Sequence, residues 1–91
     1  MENAHRAVVR IANKKGLHAR ASAKIVEAAA RFQSRINISK DGQTVDARSI
    51  MGLMMLAASE GSEIAIDADG PDAAAALAAI VALANAKFGE E

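Results

Sequence analysis

Ser34 to Ala47 reads SRINISKDGQTVDA. Ile36 and Ile38 alternate with Arg35, Asn37 and Ser39, the period of a strand with one face buried. Asp41-Gly42 is a strong hairpin signal, because the tight turns that match the strand twist need positive φ at their centre. Gln43 to Asp46 returns as a shorter strand. The middle of the chain is therefore an antiparallel pair with alternating polarity, and the flanking segments have to cover its apolar face.

Upstream, His5 to Ala12 (HRAVVRIA) is rich in β-formers and predicts a first strand, broken by NKKG. From Ala19 to Phe32 the spacing is helical. Ala21, Ile25, Ala28 and Phe32 form an apolar stripe, and Arg20, Lys24, Glu27 and Arg31 a polar stripe one position earlier, with Glu27 and Arg31 spaced to pair. Downstream, Ser49 is a good N-cap for a second helix that Gly61 would stop. Glu63 to Ala68 alternates again as a fourth strand. DGPD then predicts a helix with Pro71 at its first position and Asp72 in its first turn, running to about Lys87 with Leu77, Ile80, Val81, Ala84 and Phe88 on one face. The order βαββαβα is an α+β plan of two layers, a sheet with helices on one side, and 1–91 reads as a single domain.

Composition narrows the function classes. Ninety-one residues with two phenylalanines as the only aromatics must build a small core from aliphatic side chains. With no cysteine, disulfides and thiolate metal sites are excluded. No apolar run approaches the ~20 residues that span a bilayer, and the first residues lack the apolar stretch of a signal peptide. The expectation is a soluble cytoplasmic protein. Net charge is zero but unevenly spread: residues 1–48 carry ten Lys/Arg against four Asp/Glu, and 49–91 carry one against seven. A basic first half suits an anionic partner. Nucleic acid is disfavoured, since stacking aromatics and recognition motifs are missing.

Three places stand out chemically. No Walker loop, dinucleotide fingerprint or nucleophile elbow is present, and the loop around His18 offers too few ligands for a metal. His18 stands at a helix start, where unpaired N–H groups and the dipole favour an anion and disfavour an imidazolium. A neutral imidazole is a competent nucleophile, and Arg20 would sit where phosphoryl charge must be held. The plainer reading is a capping histidine beside a solvated arginine. Ser49 reads first as a cap, and also as a position where an added phosphate would meet a favourable dipole. IMGLMML is too apolar for a short helix to bury, so some of Ile50, Met51 and Met54 should lie outside as an adaptable docking patch, unless this is a deep core helix. His5 reads as a strand residue with no role.

GLHARASA (Gly16 to Ala23) together with RSIMGLMM (Arg48 to Met55) resembles the HPr family, the histidine-containing phosphocarriers of the bacterial phosphoenolpyruvate phosphotransferase system. The resemblance covers essentially the whole chain. It implies an antiparallel sheet of order 1-4-2-3 with three helices on one side. It implies phosphorylation of His18 at Nδ1, with Arg20 as the motif arginine. Enzyme I would be the donor and a IIA-type protein or domain the acceptor. In some lineages an HPr kinase/phosphorylase modifies the serine that is here Ser49. Ile50, Met51 and Met54 match the family's docking patch, which the basic stripe of Arg20 and Lys24 adjoins. The chain departs from the pattern at Ala21, where most relatives have proline. NKKGLHARASAKIV and EAAARF look more like the nitrogen-related branch than the sugar-transport branch.

The resulting expectation is a monomeric phosphocarrier rather than an enzyme, without cofactor or metal and without affinity for nucleic acid or membrane. A carrier must not over-stabilise its phosphorylated state, so a shallow, open site is expected. The rival from a different class is a regulatory binding module of the same fold, in which phosphate only signals and is not passed on.

Overall fold

The Asp41-Gly42 turn forms with both residues at positive φ, 51° and 84°. In the computed structural model, which describes residues 4–90, Lys40 faces Gln43 across this turn and Ile38 faces Val45. The elements are β1 (Ala4–Arg10), α1 (Ala19–Ala29), β2 (Arg35–Lys40), β3 (Gln43–Asp46), α2 (Ile50–Met55), β4 (Glu63–Asp69), α3 (Ala73–Asn85) and a closing 3-10 turn (Lys87–Gly89). The strands make one sheet of order β1-β4-β2-β3, every neighbouring pair antiparallel.

Register sorts the two faces. Ala7, Ile66, Ile38 and Val45 share a row on the covered face, while Arg6, Asp67, Asn37 and Asp46 share a row on the open one. There Arg6 pairs with Asp67 at 3.0 Å. The three helices lie over the covered face, α3 against β1, β4 and β2, with α1 against α3 and α2. Ile25, Ile36, Ile38, Leu53, Ile64, Ile66, Ile80 and Phe88 are buried in one core. Each such side chain contributes roughly 1.5–3 kcal/mol by leaving water.

Element ends differ from the sequence expectation, each for a local reason. β1 stops at Arg10, although the Ile11 amide still donates to Ser62 O at 2.8 Å. α1 stops at Ala29 rather than Phe32, because the Arg48 guanidinium takes the carbonyls of Ala29, Phe32 and Ser34 at 3.0, 2.7 and 3.3 Å. Arg31 thus falls past the helix, and Glu27–Arg31 is not among the ion pairs of the described residues. α2 ends at Met55, with Ala57 rather than Gly61 taking the left-handed position at φ 53°. Pro71 precedes α3, and Asp72 is its N-cap residue. The Asp72 carboxylate serves another segment, accepting from the Gln33 amide (3.0 Å), the Ser34 amide (2.9 Å) and the Ser34 hydroxyl (2.5 Å). α3 closes at Asn85, and Phe88 reaches the core from the turn beyond. No described helix is long and apolar enough to cross a membrane.

Candidate functional site

The loop between β1 and α1 is pressed against the segment after α2. Leu17 donates its amide to Ala58 O at 2.9 Å and buries its side chain. Gly16 permits this contact: it has φ 64°, and a Cβ there would lie 2.2 Å from Ala58 O. The next residue, His18, has extended backbone (φ −73°, ψ −177°) and is the N-cap of α1. Its main-chain carbonyl accepts from the Ser22 amide at 2.9 Å, which starts the helix, and its ring Nδ1 accepts from the Arg20 amide at 3.2 Å. The His18 side chain remains 28% exposed, so it is reachable from solvent.

The other ring nitrogen meets a residue that the sequence did not single out. Glu90 Oε2 lies 2.5 Å from His18 Nε2, and Glu90 Oε1 accepts from the Asn13 amide nitrogen at 3.0 Å. Asn13 is fully buried and also donates to Gly16 O at 2.9 Å. The Glu90 carboxyl is held below its ordinary value of 4.5, first by the Asn13 hydrogen bond and then by the His18 ring, against partial desolvation. The ring thus stands between the first turn of α1 on one side and a carboxylate on the other. Lys87, Phe88 and Gly89 turn left-handed in succession (φ 56°, 54°, 76°), and that hook aims Glu90 at the ring. Phe88 anchors it in the core, and Lys24 Nζ donates to Phe88 O at 2.6 Å.

His18 opens onto a cleft of about 310 Å³ lined by Lys14, Lys15, Arg20, Gly89 and Glu90. The cations surround the ring where an anionic group would dock. A second shallow groove, lined by Lys15, Leu17, His18, Met54, Ala57, Ala58 and Ser59, joins the ring to α2.

Ser49 is the N-cap of α2, its hydroxyl accepting from the Gly52 amide at 3.0 Å. Leu53 is the buried anchor of this helix, while Ile50, Met51 and Met54 are exposed as expected. Met55, which sequence reasoning left out, is 74% exposed and Met51 72%, so the apolar face is wider than read. Lys24 is half-buried, with its ammonium engaged by Phe88 O, whereas Lys14, Lys15 and Arg20 make no ion pair among the described residues. His5 sits exposed in β1 opposite Ala68, away from this site. Among the described residues no group of His, Cys, Asp and Glu could hold a metal ion.

An imidazole on a helix N-terminus, ringed by cations in an open cleft and joined to an exposed apolar face, is suited to carrying an anionic group between protein partners. The comparisons with known proteins say which carrier. The family described as "PTS HPr component phosphorylation site" matches residues 5–86. The phosphocarrier protein HPr of Cupriavidus necator is 52% identical over 80 residues, covering 88% of this chain and 90% of its own. The phosphocarrier protein NPr of Klebsiella oxytoca is 40% identical over 84 residues, covering 91% and 93%. The crystal structure of HPr-C-His from Thermoanaerobacter tengcongensis superposes with a TM-score of 0.92 at 44% identity, covering 96% and 98%. The chain belongs to the HPr family of phosphocarrier proteins of the phosphotransferase system. Members of this family carry a phosphoryl group and are not themselves catalysts of small-molecule turnover.

Proposed function

We propose that this chain, acting as one phosphocarrier domain and as a monomer, accepts a phosphoryl group from enzyme I on His18 Nδ1 and passes it to a IIA-type protein or domain. The observation that carries the reading is the His18 ring itself: solvent-reachable, capping α1, with Nδ1 against the Arg20 amide. Once Nδ1 is phosphorylated, that amide is free to bond a phosphoryl oxygen, and the exposed Arg20 guanidinium adds charge in the same cleft. The partners dock on Ile50, Met51 and Met54, extended by Met55, all of which lie exposed on α2. Ser49 is a regulatory position, supported by its place at the end of that face. An HPr kinase/phosphorylase, where the host has one, is its modifying enzyme.

The test is incubation with enzyme I and labelled phosphoenolpyruvate, followed by addition of IIA-type acceptors from both the sugar-transport and the nitrogen-related branch. Wild type takes acid-labile label and hands it on, whereas His18→Ala takes none and keeps its fold. Acid-stable label, or label on His18→Ala, overturns the assignment. Label that stays on His18 with every acceptor makes the chain a signalling module instead.

A further inference from the structure

We propose that Glu90 is a positioning residue for phosphoryl transfer: held by Asn13, it keeps the ring proton of His18 on Nε2 and leaves the lone pair of Nδ1 for phosphorus. This rests on the reading of His18 as the carrier residue.

The hydrogen-bond inventory of the ring argues for it. Nδ1 faces an N–H donor, the Arg20 amide, and so must present its lone pair. Nε2 lies 2.5 Å from a carboxylate oxygen, a contact that requires a proton between them. The two partners select the same tautomer from opposite sides. The carboxylate is itself oriented, because the buried Asn13 side chain donates to both Gly16 O and Glu90 Oε1. Both acceptors lie on its nitrogen, so flipping the Asn13 amide would lose both bonds. Asn13, Glu90 and His18 thus form a relay of fixed direction running from the loop through the C-terminal hook to the ring.

An incidental surface ion pair is the alternative, and the backbone weighs against it. Lys87 and Phe88 are both left-handed non-glycine residues. That conformation is unfavourable for L-residues, and here it is offset by burial of Phe88 and the Lys24 bond to Phe88 O. The hook is held twice from outside the site, and Glu90 is what it delivers.

The chemistry shows what the proton on Nε2 does. In the accepting step the Nδ1 pair forms the N–P bond. The bond from phosphorus to the donor's leaving atom breaks, and its electron pair stays with the donor. The ring is then a phosphorylated imidazolium whose Nε2–H still points at Glu90. In the passing step the acceptor's nucleophile bonds phosphorus, and the Nδ1–P pair returns to nitrogen. The ring departs as neutral imidazole, with no proton gained or lost in either step. Without the Nε2 proton the departing group would be an imidazolate, a far poorer leaving group.

The test uses the full chain and the variants Glu90→Gln and Glu90→Ala. Proton and ¹⁵N NMR of the unphosphorylated protein should show His18 protonated at Nε2, with a low-field Nε2–H signal. That signal should weaken in Glu90→Gln and vanish into exchange with water in Glu90→Ala. Single-turnover transfer from enzyme I onto the protein should fall roughly tenfold in Glu90→Ala, the worth of one charge-assisted hydrogen bond to the imidazolium that forms, with affinity for the donor unchanged. Glu90→Gln should lie between, since it keeps an acceptor oxygen but loses the charge. A tail that serves structure alone would give Glu90→Gln the wild-type rate and signal. A ring proton found on Nδ1 in wild type, or wild-type transfer by Glu90→Ala, overturns the role of Glu90 while leaving His18 as carrier. Absence of label on wild-type His18 overturns both.

Discussion

The Lys24 ammonium donates to the main-chain carbonyl of Phe88 at 2.6 Å, tying α1 to the turn that carries Glu90. Lys24→Met keeps the aliphatic stem and removes the donor. The expected loss is about 1 kcal/mol, the net worth of one hydrogen bond. Amide exchange should quicken at Gly89 and Glu90 before it does in the sheet. The salt dependence of association with enzyme I should stay as in wild type, because this cation is a tether. A flattened salt dependence would return Lys24 to the docking surface.

Arg20 stands on different ground. Its side chain is exposed in the cleft beside His18, and only its backbone amide is committed to the ring. Arg20→Ala should slow single-turnover transfer by about tenfold, less than the hundredfold or more typical of a buried oxyanion donor, because solvent screens the guanidinium. Partner affinity should change less than the rate. An unchanged rate makes Arg20 a bystander.

Those two residues, four positions apart on one stripe, mark the limit of what the sequence displays. The hairpin and its register are legible because the alternation of Ile36 and Ile38 and the Asp41-Gly42 turn are local signals. Ser49 and His18 as caps are legible for the same reason. The end of α1 is not, because it depends on Arg48 reaching back over 19 residues to Ala29 O. Glu90 is invisible to any periodic pattern, since Gly89 announces only the last residue of a turn whose first two left-handed positions are Lys87 and Phe88. Even the family resemblance points to His18 and Arg20 without pointing to the side chain that meets the ring.

Docking should be carried by the outward face of α2, where Met51 and Met55 are the most exposed large apolar side chains. Met51→Asp should weaken binding of enzyme I at high salt as well as low, because the lost contact is apolar. Met55→Asp should do the same, to a degree set by how far the footprint extends. Titration calorimetry on both variants decides it, and unaltered affinity in both places the contact elsewhere.

Ser49 has a cost and a role that separate cleanly. Ser49→Ala should lose about 1 kcal/mol from the cap on the Gly52 amide and keep transfer. Ser49→Asp retains a capping oxygen, so its melt should stay near wild type. Its phosphorylation by enzyme I should be slower, because the charge enters an apolar face that partners must desolvate. Wild-type transfer by Ser49→Asp would leave Ser49 as a cap and nothing more.

Asp72 should hold its charge to lower pH than an ordinary aspartate. The Ser34 hydroxyl first, and then the Gln33 amide, hold its carboxyl below its ordinary 3.8. Folding therefore favours the ionised form. Its contribution is complete above 3.8 and is lost as pH falls through the lowered folded value. Denaturant melts between about pH 5 and pH 2 should show wild type losing stability more steeply than Asp72→Asn. Glu90, also lowered, titrates in both proteins, so the difference between the curves reports Asp72. Parallel curves would show that the clasp on Ser34 works equally well without charge.

His18 and Glu90 stand 72 residues apart along the chain, and between them lie most of the sheet and all three helices. Closing so long a loop is entropically unfavourable until the sheet has brought its ends together. A chain that has formed α1 and the central hairpin already has its histidine on a helix end, yet the ring is still free to turn. Only docking of Phe88 brings the last partner into place. The His18–Glu90 contact is therefore a late product of folding, made when the turn after α3 docks beside the loop before α1.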